Sequence, residues 1–106
     1  MHNRLRVKTA LQLFGQAVKA SQELRDLSGL AHLDIKPDNY VFLNKFQLAL
    51  IDFGYASAFD EPIGRVTGTD IYLAPEVRTA LNRGTAYDPA KVDIFNLGVL
   101  LFILVL

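Results

Sequence analysis

Residues 32–39, His-Leu-Asp-Ile-Lys-Pro-Asp-Asn, gather Asp34, Lys36, Asp38 and Asn39 around a proline, directly after a stretch rich in apolar residues. A second short group, Asp52-Phe53-Gly54, follows a little further on. Carboxylate and amide oxygens are hard donors of the type that magnesium prefers. A carboxylate beside a hydroxyl can orient it and accept its proton, and a lysine supplies a compact point charge. Taken singly, each residue also has a plainer reading: Asp34 as a solvated turn carboxylate, Asp38-Asn39 as an ordinary strand-entry turn, and Asp-Phe-Gly as one of many turns with an aspartate before a glycine.

The elements around these groups are legible from periodicity. Between Thr9 and Ser28, Ala10, Leu13, Ala17, Ala20, Leu24 and Leu27 recur three or four residues apart, flanked by Leu11, Phe14 and Val18. That spacing predicts an amphipathic helix, with Gly29 as its stop. After the polar cluster, Tyr-Val-Phe-Leu and Phe-Gln-Leu-Ala-Leu-Ile are two β-prone runs separated by Asn44-Lys45, the pattern of a small hairpin. Residues 52 to 75 carry Gly54, Gly64 and Gly68 and little periodicity, so they are read as a long ordered loop, of the kind that usually has a function. A short helix is predicted from Pro75 to near Gly84. Asp88 and Pro89 then supply an N-cap and a first-turn proline for a final helix over 89–106.

The chain has 106 residues, of which 51% are hydrophobic, enough to build a core. Eleven basic residues balance eleven acidic ones, so no net field draws it to nucleic acid or an anionic membrane. It has no cysteine, which removes disulfides and thiolate metal sites and suits an intracellular, cytoplasmic protein. No apolar segment follows the basic N-terminus as a secretory signal would require. The run 97–106 is apolar throughout, short of the roughly 20 residues that span a bilayer. Without a basic cluster beside it, a peripheral membrane role is the weakest reading. A helix apolar on every face needs protein on every face.

Order and spacing give the single motifs their weight. Asp34-x-Lys36-x-x-Asn39 is followed by Asp52-Phe53-Gly54, then Gly68-Thr69, then Ala74-Pro75-Glu76, then Asp93 with Gly98 in an apolar helix. The series resembles the C-lobe of a eukaryotic protein kinase, and the resemblance runs through nearly the whole chain in the family's order. Lys36 two residues after Asp34, and Gly68-Thr69 ahead of Tyr72, resemble the serine/threonine branch. The resemblance implies an α+β fold, mainly helical, a partial protein-kinase C-lobe with helix E, the catalytic-loop hairpin, the activation segment and helix F. It also implies that residues 1–106 are one part of a catalytic domain, without the N-lobe and the end of the C-lobe.

The resemblance implies phosphoryl transfer from ATP, with Mg2+, to a serine or threonine hydroxyl of a protein substrate. Such chemistry needs metal held against phosphates, a positioned hydroxyl and countercharge. By this reading Asp34 orients the hydroxyl and accepts its proton, and Lys36 faces the terminal phosphate. Asn39 and Asp52 are the metal ligands, and Val41 is an apolar floor under the adenine. Phe53, Gly54, Gly68, Thr69 and Glu76 belong to the activation segment and the substrate-docking region. His32 packs on Phe53, and Asp93 accepts backbone hydrogen bonds from the catalytic loop. Tyr72 and Phe95 are read as core, and Ser57 and Thr67 as exposed hydroxyls.

Several positions depart from the family's pattern. Leu33 stands where most such kinases have an arginine that pairs with a phosphorylated loop residue, and Arg65 stands at the usual phosphate acceptor. Asp70 replaces a common proline, which on charge alone would favour a basic residue near the target hydroxyl. The glycine-rich phosphate loop, its lysine and the helix C glutamate have no counterpart, and neither has the arginine that normally pairs with Glu76, which is expected to be left as half of a buried pair. A noncatalytic, pseudokinase-like remnant acting as a protein-interaction module is the alternative reading. Retention of Asp34, Lys36, Asn39 and Asp52 together favours the enzyme.

Overall fold

The structure, a computed structural model, describes residues 4–106 apart from Phe46, Val66, Asp70 and Ile71, with side chains from residue 6 onward. The sequence-based reading of Asp70 and the start of the second hairpin run at Phe46 lie outside the described residues. In chain order the elements are helix α1 (Arg4–Ser28), strand β1 (Leu30–Ala31), a 3-10 turn (Pro37–Asn39), strands β2 (Tyr40–Asn44), β3 (Gln47–Leu50) and β4 (Ser57–Ala58), and helices α2 (Pro75–Arg83) and α3 (Pro89–Val105). The α+β, mainly helical architecture agrees with the expectation.

Helix α1 buries Ala10 and Ala17 along the predicted stripe, while Leu11 and Leu27 at its margins are exposed. It stops at Gly29, whose φ of 68° is a left-handed conformation that a residue without Cβ adopts at little cost. The Gly29 amide donates to the Arg25 carbonyl at 2.8 Å, closing the last turn. Strands β2 and β3 form the antiparallel hairpin, Tyr40 opposite Leu50 and Val41 opposite Ala49. Its register is irregular between Phe42 and Asn44. The loop expected over 52–75 is not strandless: Ser57 and Ala58 pair antiparallel with Ala31 and Leu30. Two residues leave no periodic trace in a sequence, and this pairing is made across a long separation, so the pattern could not show it.

The core has two parts. One gathers Ala31, Leu33, Ala74, Val77, Ala80, Tyr87 and Val92, joining β1 and the segment after it to α2 and α3. The other packs Ala17, Ile35 and Leu100, with Tyr40 and Leu50 against them, joining α1, the hairpin and α3. Burial holds the Tyr40 hydroxyl protonated, its pKa pushed well above the ordinary value, with the charge of Asp93 adding to the shift. It donates to the Ala17 carbonyl at 3.2 Å. Phe95 is half-buried against the first cluster.

Helix α3 touches both parts. Asp88 caps it, its carboxylate accepting the Ala90 amide at 3.0 Å. Leu100 is buried, whereas Ile94, Phe102 and Leu106 are exposed, so the helix is covered on one side. Glu76, expected as the unpartnered half of a buried pair, is exposed in the first turn of α2. There its charge complements the helix N-terminus and is screened by solvent. Removal of the α3 cap by Asp88→Ala is expected to cost about 1 kcal/mol, read as a lower unfolding midpoint in urea; an unchanged midpoint would show that the cap contributes nothing.

Candidate active site

The site is assembled from the foot of α3. Asp93, 7% exposed, lies one turn inside that helix and directs its carboxylate at the segment after β1. Its Oδ2 accepts the His32 amide and its Oδ1 the Leu33 amide, each at 2.8 Å. Those amides have no ladder partner there, and leaving either unpaired in the interior costs roughly 1–3 kcal/mol. The two bonds accompany a sharp change of direction: Leu33 has φ of 71° and is buried, an uncommon conformation for a bulky residue that surrounding contacts must hold.

His32 fixes the next links. The Asp34 amide donates to His32 Nδ1 at 3.1 Å, so Nδ1 is the acceptor of a neutral ring and Nε2 carries the proton. Nε2 then donates to the Ile51 carbonyl at 2.8 Å. The Ile51 amide in turn donates to the Asn39 carbonyl at 2.8 Å. The imidazole also meets the Phe53 ring edge-on, with 5.5 Å between centroids. One buried histidine thus connects the Asp34 segment to the Asp-Phe-Gly turn. In that turn Asp52 has φ of 62° and accepts the Gly54 amide at 3.3 Å, a local bond that suits aspartate to the left-handed region.

Around Asp34 the polar side chains close into a cluster. Asn39 Nδ2 donates to the Asp34 carbonyl at 2.8 Å and to Oδ2 at 3.2 Å. Thr69 Oγ1 donates to Asp34 Oδ1 at 3.0 Å and accepts from Lys36 Nζ at 2.7 Å. Lys36 Nζ lies 3.8 Å from Asp34 Oδ2. Gly68 comes against the same loop: with φ of 76°, a Cβ there would sit 2.7 Å from the Leu33 carbonyl oxygen. Only glycine lets the two backbones meet this closely.

The structure therefore brings together Asp34, Lys36, Asn39, Gly68 and Thr69, with His32, Phe53 and Asp93 supporting them. Asp52 and Gly54 join through the backbone of Ile51 and the His32 ring; among the described residues no direct hydrogen bond links Asp52 to Asp34 or Asn39. Val41 stands exposed on β2, and Glu76 belongs to α2, outside the cluster. Asn96 was not foreseen. It is buried in α3, and its Nδ2 donates to the Tyr72 carbonyl at 2.7 Å, tying half-buried Tyr72 to the same helix as Asp93. The signal available was an asparagine three residues after Asp93 in an apolar helix. Thr67, read as exposed, is 1% exposed and pairs with the Tyr87 hydroxyl at 2.8 Å. Ser57 is half-buried in β4 and accepts from Arg65.

Comparison with known proteins gives the family. The sequence matches the protein kinase domain family over residues 2–106, and the chain belongs to that family. It is 35% identical over 100 residues to the serine/threonine-protein kinase PRR2 of Saccharomyces cerevisiae, covering 88% of the chain and 14% of that protein. It is 40% identical over 106 residues to CBL-interacting protein kinase 12 of Oryza sativa, covering 95% and 19%. It is 40% identical over 97 residues to the serine/threonine-protein kinase CHK1 of S. cerevisiae, covering 86% and 18%. The chain thus spans 14 to 19% of the length of these relatives. Among the described residues no helix is long and apolar enough to cross a membrane.

Burial raises the Asp93 pKa above its ordinary value of 3.8, against the two backbone amides, which act the other way. In the window above 3.8 the native state then holds more protons than the unfolded chain, and stability falls as pH rises through it. The full-length protein carrying Asp93→Asn, which cannot titrate, is expected to lose this slope in urea unfolding followed between about pH 4 and 7. A slope equal to the wild type's would assign it to another group.

Proposed function

We propose that the protein to which this chain belongs transfers the terminal phosphoryl group of ATP to a serine or threonine hydroxyl of a protein substrate. The observation that carries this reading is the Asp34 carboxylate, buried yet held at three points by Asn39, Thr69 and, at longer range, Lys36. A carboxylate so fixed can receive a substrate hydroxyl, orient it and take its proton as the oxygen attacks. Thr69, itself held by Lys36, keeps Asp34 turned toward the docking region; Lys36 offers the cation that the transferred group needs. The alternation of donors and acceptors from Lys36 through Thr69 to Asp34 keeps the site in one arrangement.

The donor set fits a magnesium ion. Among the described residues no three His, Cys, Asp or Glu side chains gather as a metal cluster. Magnesium is commonly held by one or two protein oxygens together with phosphates and waters. Asn39 commits its Nδ2 to Asp34 and keeps Oδ1 as an available oxygen, and Asp52 presents an exposed carboxylate. Asn39 and Asp52 would hold the ion, which when bound neutralises phosphate charge. Val41, exposed beside Phe42 and Leu43 on β2, supplies apolar surface for the adenine.

Leu33 and Arg65 set the regulation we assign to the protein. The side chain before Asp34 is buried among Ala74, Val77 and Val92, so this position offers no cation to a phosphate on the loop. Activity accordingly does not depend on loop phosphorylation. ATP as substrate and the lack of cysteine suit an intracellular, cytoplasmic setting. The balanced charge gives no reason to invoke nucleic acid or a membrane as partner. The alternative, a noncatalytic interaction module, draws on the exposed Phe42 and Leu43, which offer apolar area to a protein partner.

Two experiments on the full-length protein separate these readings. Asp34→Ala is expected to lower kcat by a factor of about 10^2 to 10^4, the range for loss of a positioned acid or base, while Mg-ATP binding is retained. Transfer to serine and threonine peptides at the same rate by wild type and variant, or by neither, would refute the catalytic assignment. Phosphatase pretreatment of the wild type is expected to leave its rate unchanged; abolished activity would contradict the regulatory reading.

A further inference from the structure

Tyr87 and Arg65 take no part in the chemistry described above, yet they hold the chain that leads into Gly68 and Thr69. Ile63 and Tyr87 exchange backbone hydrogen bonds, Ile63 N to Tyr87 O at 3.0 Å and Tyr87 N to Ile63 O at 2.8 Å. The Tyr87 hydroxyl donates to the Arg65 carbonyl at 2.7 Å. Its one proton is used there, so in the 2.8 Å contact with Thr67 Oγ1 the threonine is the donor. Tyr87 is 5% exposed and Thr67 1%, so both hydroxyls lie out of water with their partners supplied. The Arg65 guanidinium donates to the Tyr55 carbonyl at 2.8 Å and to Ser57 Oγ. It thereby ties the arm back to β4 at the start of the same segment.

The ties fall on alternate residues: Ile63, Arg65 and Thr67 to Tyr87, and Thr69 to Asp34 and Lys36. We infer that Tyr87 and Arg65 are positioning residues, which fix the arm 63–69 by neutral hydrogen bonds and a guanidinium clasp and so do the work that a loop phosphate would otherwise do. The inference deepens the kinase reading by naming what holds the docking region in the absence of phosphorylation; its effect on turnover rests on that reading, whereas the tether itself does not. Arg65 brings its own cation to the segment and satisfies it on a carbonyl and a hydroxyl. A basic residue at this position then does not repel the loop, because its charge is turned to Tyr55 and Ser57. Tyr87 immediately precedes Asp88, the cap of α3, so the arm is fastened to the helix that also carries Asp93.

The test compares wild-type full-length protein with Tyr87→Phe, which keeps the ring and deletes one hydroxyl, and with Arg65→Ala and Arg65→Lys at an exposed position. Amide hydrogen exchange is expected to quicken about tenfold across residues 63–69 in Tyr87→Phe and Arg65→Ala, with α1 and α3 unchanged, and Arg65→Lys is expected to recover part of the protection. In peptide phosphorylation the same two variants are expected to raise the KM for peptide about tenfold while the KM for ATP stays as in wild type. Unchanged exchange over 63–69, or acceleration spread evenly over the chain, would overturn the inference. A wild type without kinase activity would refute the kinase reading, and the exchange comparison would still decide the tether.

Discussion

The Asp93 carboxylate, buried in the first turns of α3, accepts the amides of both His32 and Leu33, and the placing of the polar cluster around Asp34 depends on those two bonds. A charged oxygen pair in the interior is costly unless each lone pair meets a donor. Here the donors are backbone amides of a segment that has just left β1 and belongs to no further strand. The exchange stabilises both sides. It also holds Leu33 in a left-handed conformation that turns Asp34 toward Asn39, Lys36 and Thr69, while the Leu33 side chain enters the core. Loss of the carboxylate would remove the bonds and free the backbone strain together.

The foot of α3 is the common base of several parts that are distant in sequence. Asp93 holds His32 and Leu33, Asn96 holds Tyr72, and Tyr87, just before the cap, holds Ile63, Arg65 and Thr67. Beyond this foot the helix is apolar and packs Leu100 against Ala17 and Ile35. The polar anchors thus stand on an element whose own position is set by side-chain packing. That division explains how a cluster built largely on loops keeps a single arrangement. His32 adds the lateral link: its neutral ring accepts from Asp34 on one side and donates to Ile51 on the other. A protonated imidazole would lose the first of these bonds, because both its nitrogens are donors.

Much of this was legible in the sequence where a residue type has few alternative uses. Gly29 as a helix stop, Asp88-Pro89 as a helix start and the hairpin around Asn44 follow from local geometry, and the helices α2 and α3 fall where proline and glycine punctuate the chain. The spacing of Asp34, Lys36, Asn39 and Asp52 pointed to the family. The contacts of Thr67 and Tyr87 were not legible, because a threonine in a glycine-containing loop and a tyrosine before a helix have no pattern that pairs them. Leu27 fits the helical stripe and is nevertheless 83% exposed. Periodicity gives the face of a helix, whereas the extent of its cover depends on what lies opposite. The β1–β4 pair was missed for the same reason: two residues matched across a long loop are fixed by tertiary packing.

Leu33 and Arg65 show how a departure from a family pattern can be read physically. An apolar side chain in the core and a guanidinium turned to Tyr55 and Ser57 are each satisfied where they stand, so neither waits for a phosphate. The account still rests first on the Asp93 anchor. Its most direct test is the scalar coupling across hydrogen bonds between the amide nitrogens of His32 and Leu33 and the side-chain carboxyl carbon of Asp93, measured by NMR in the isotopically labelled full-length protein. The account predicts that both couplings lead to Asp93; absence of both, with Asn39 still bonded to Asp34, would contradict it.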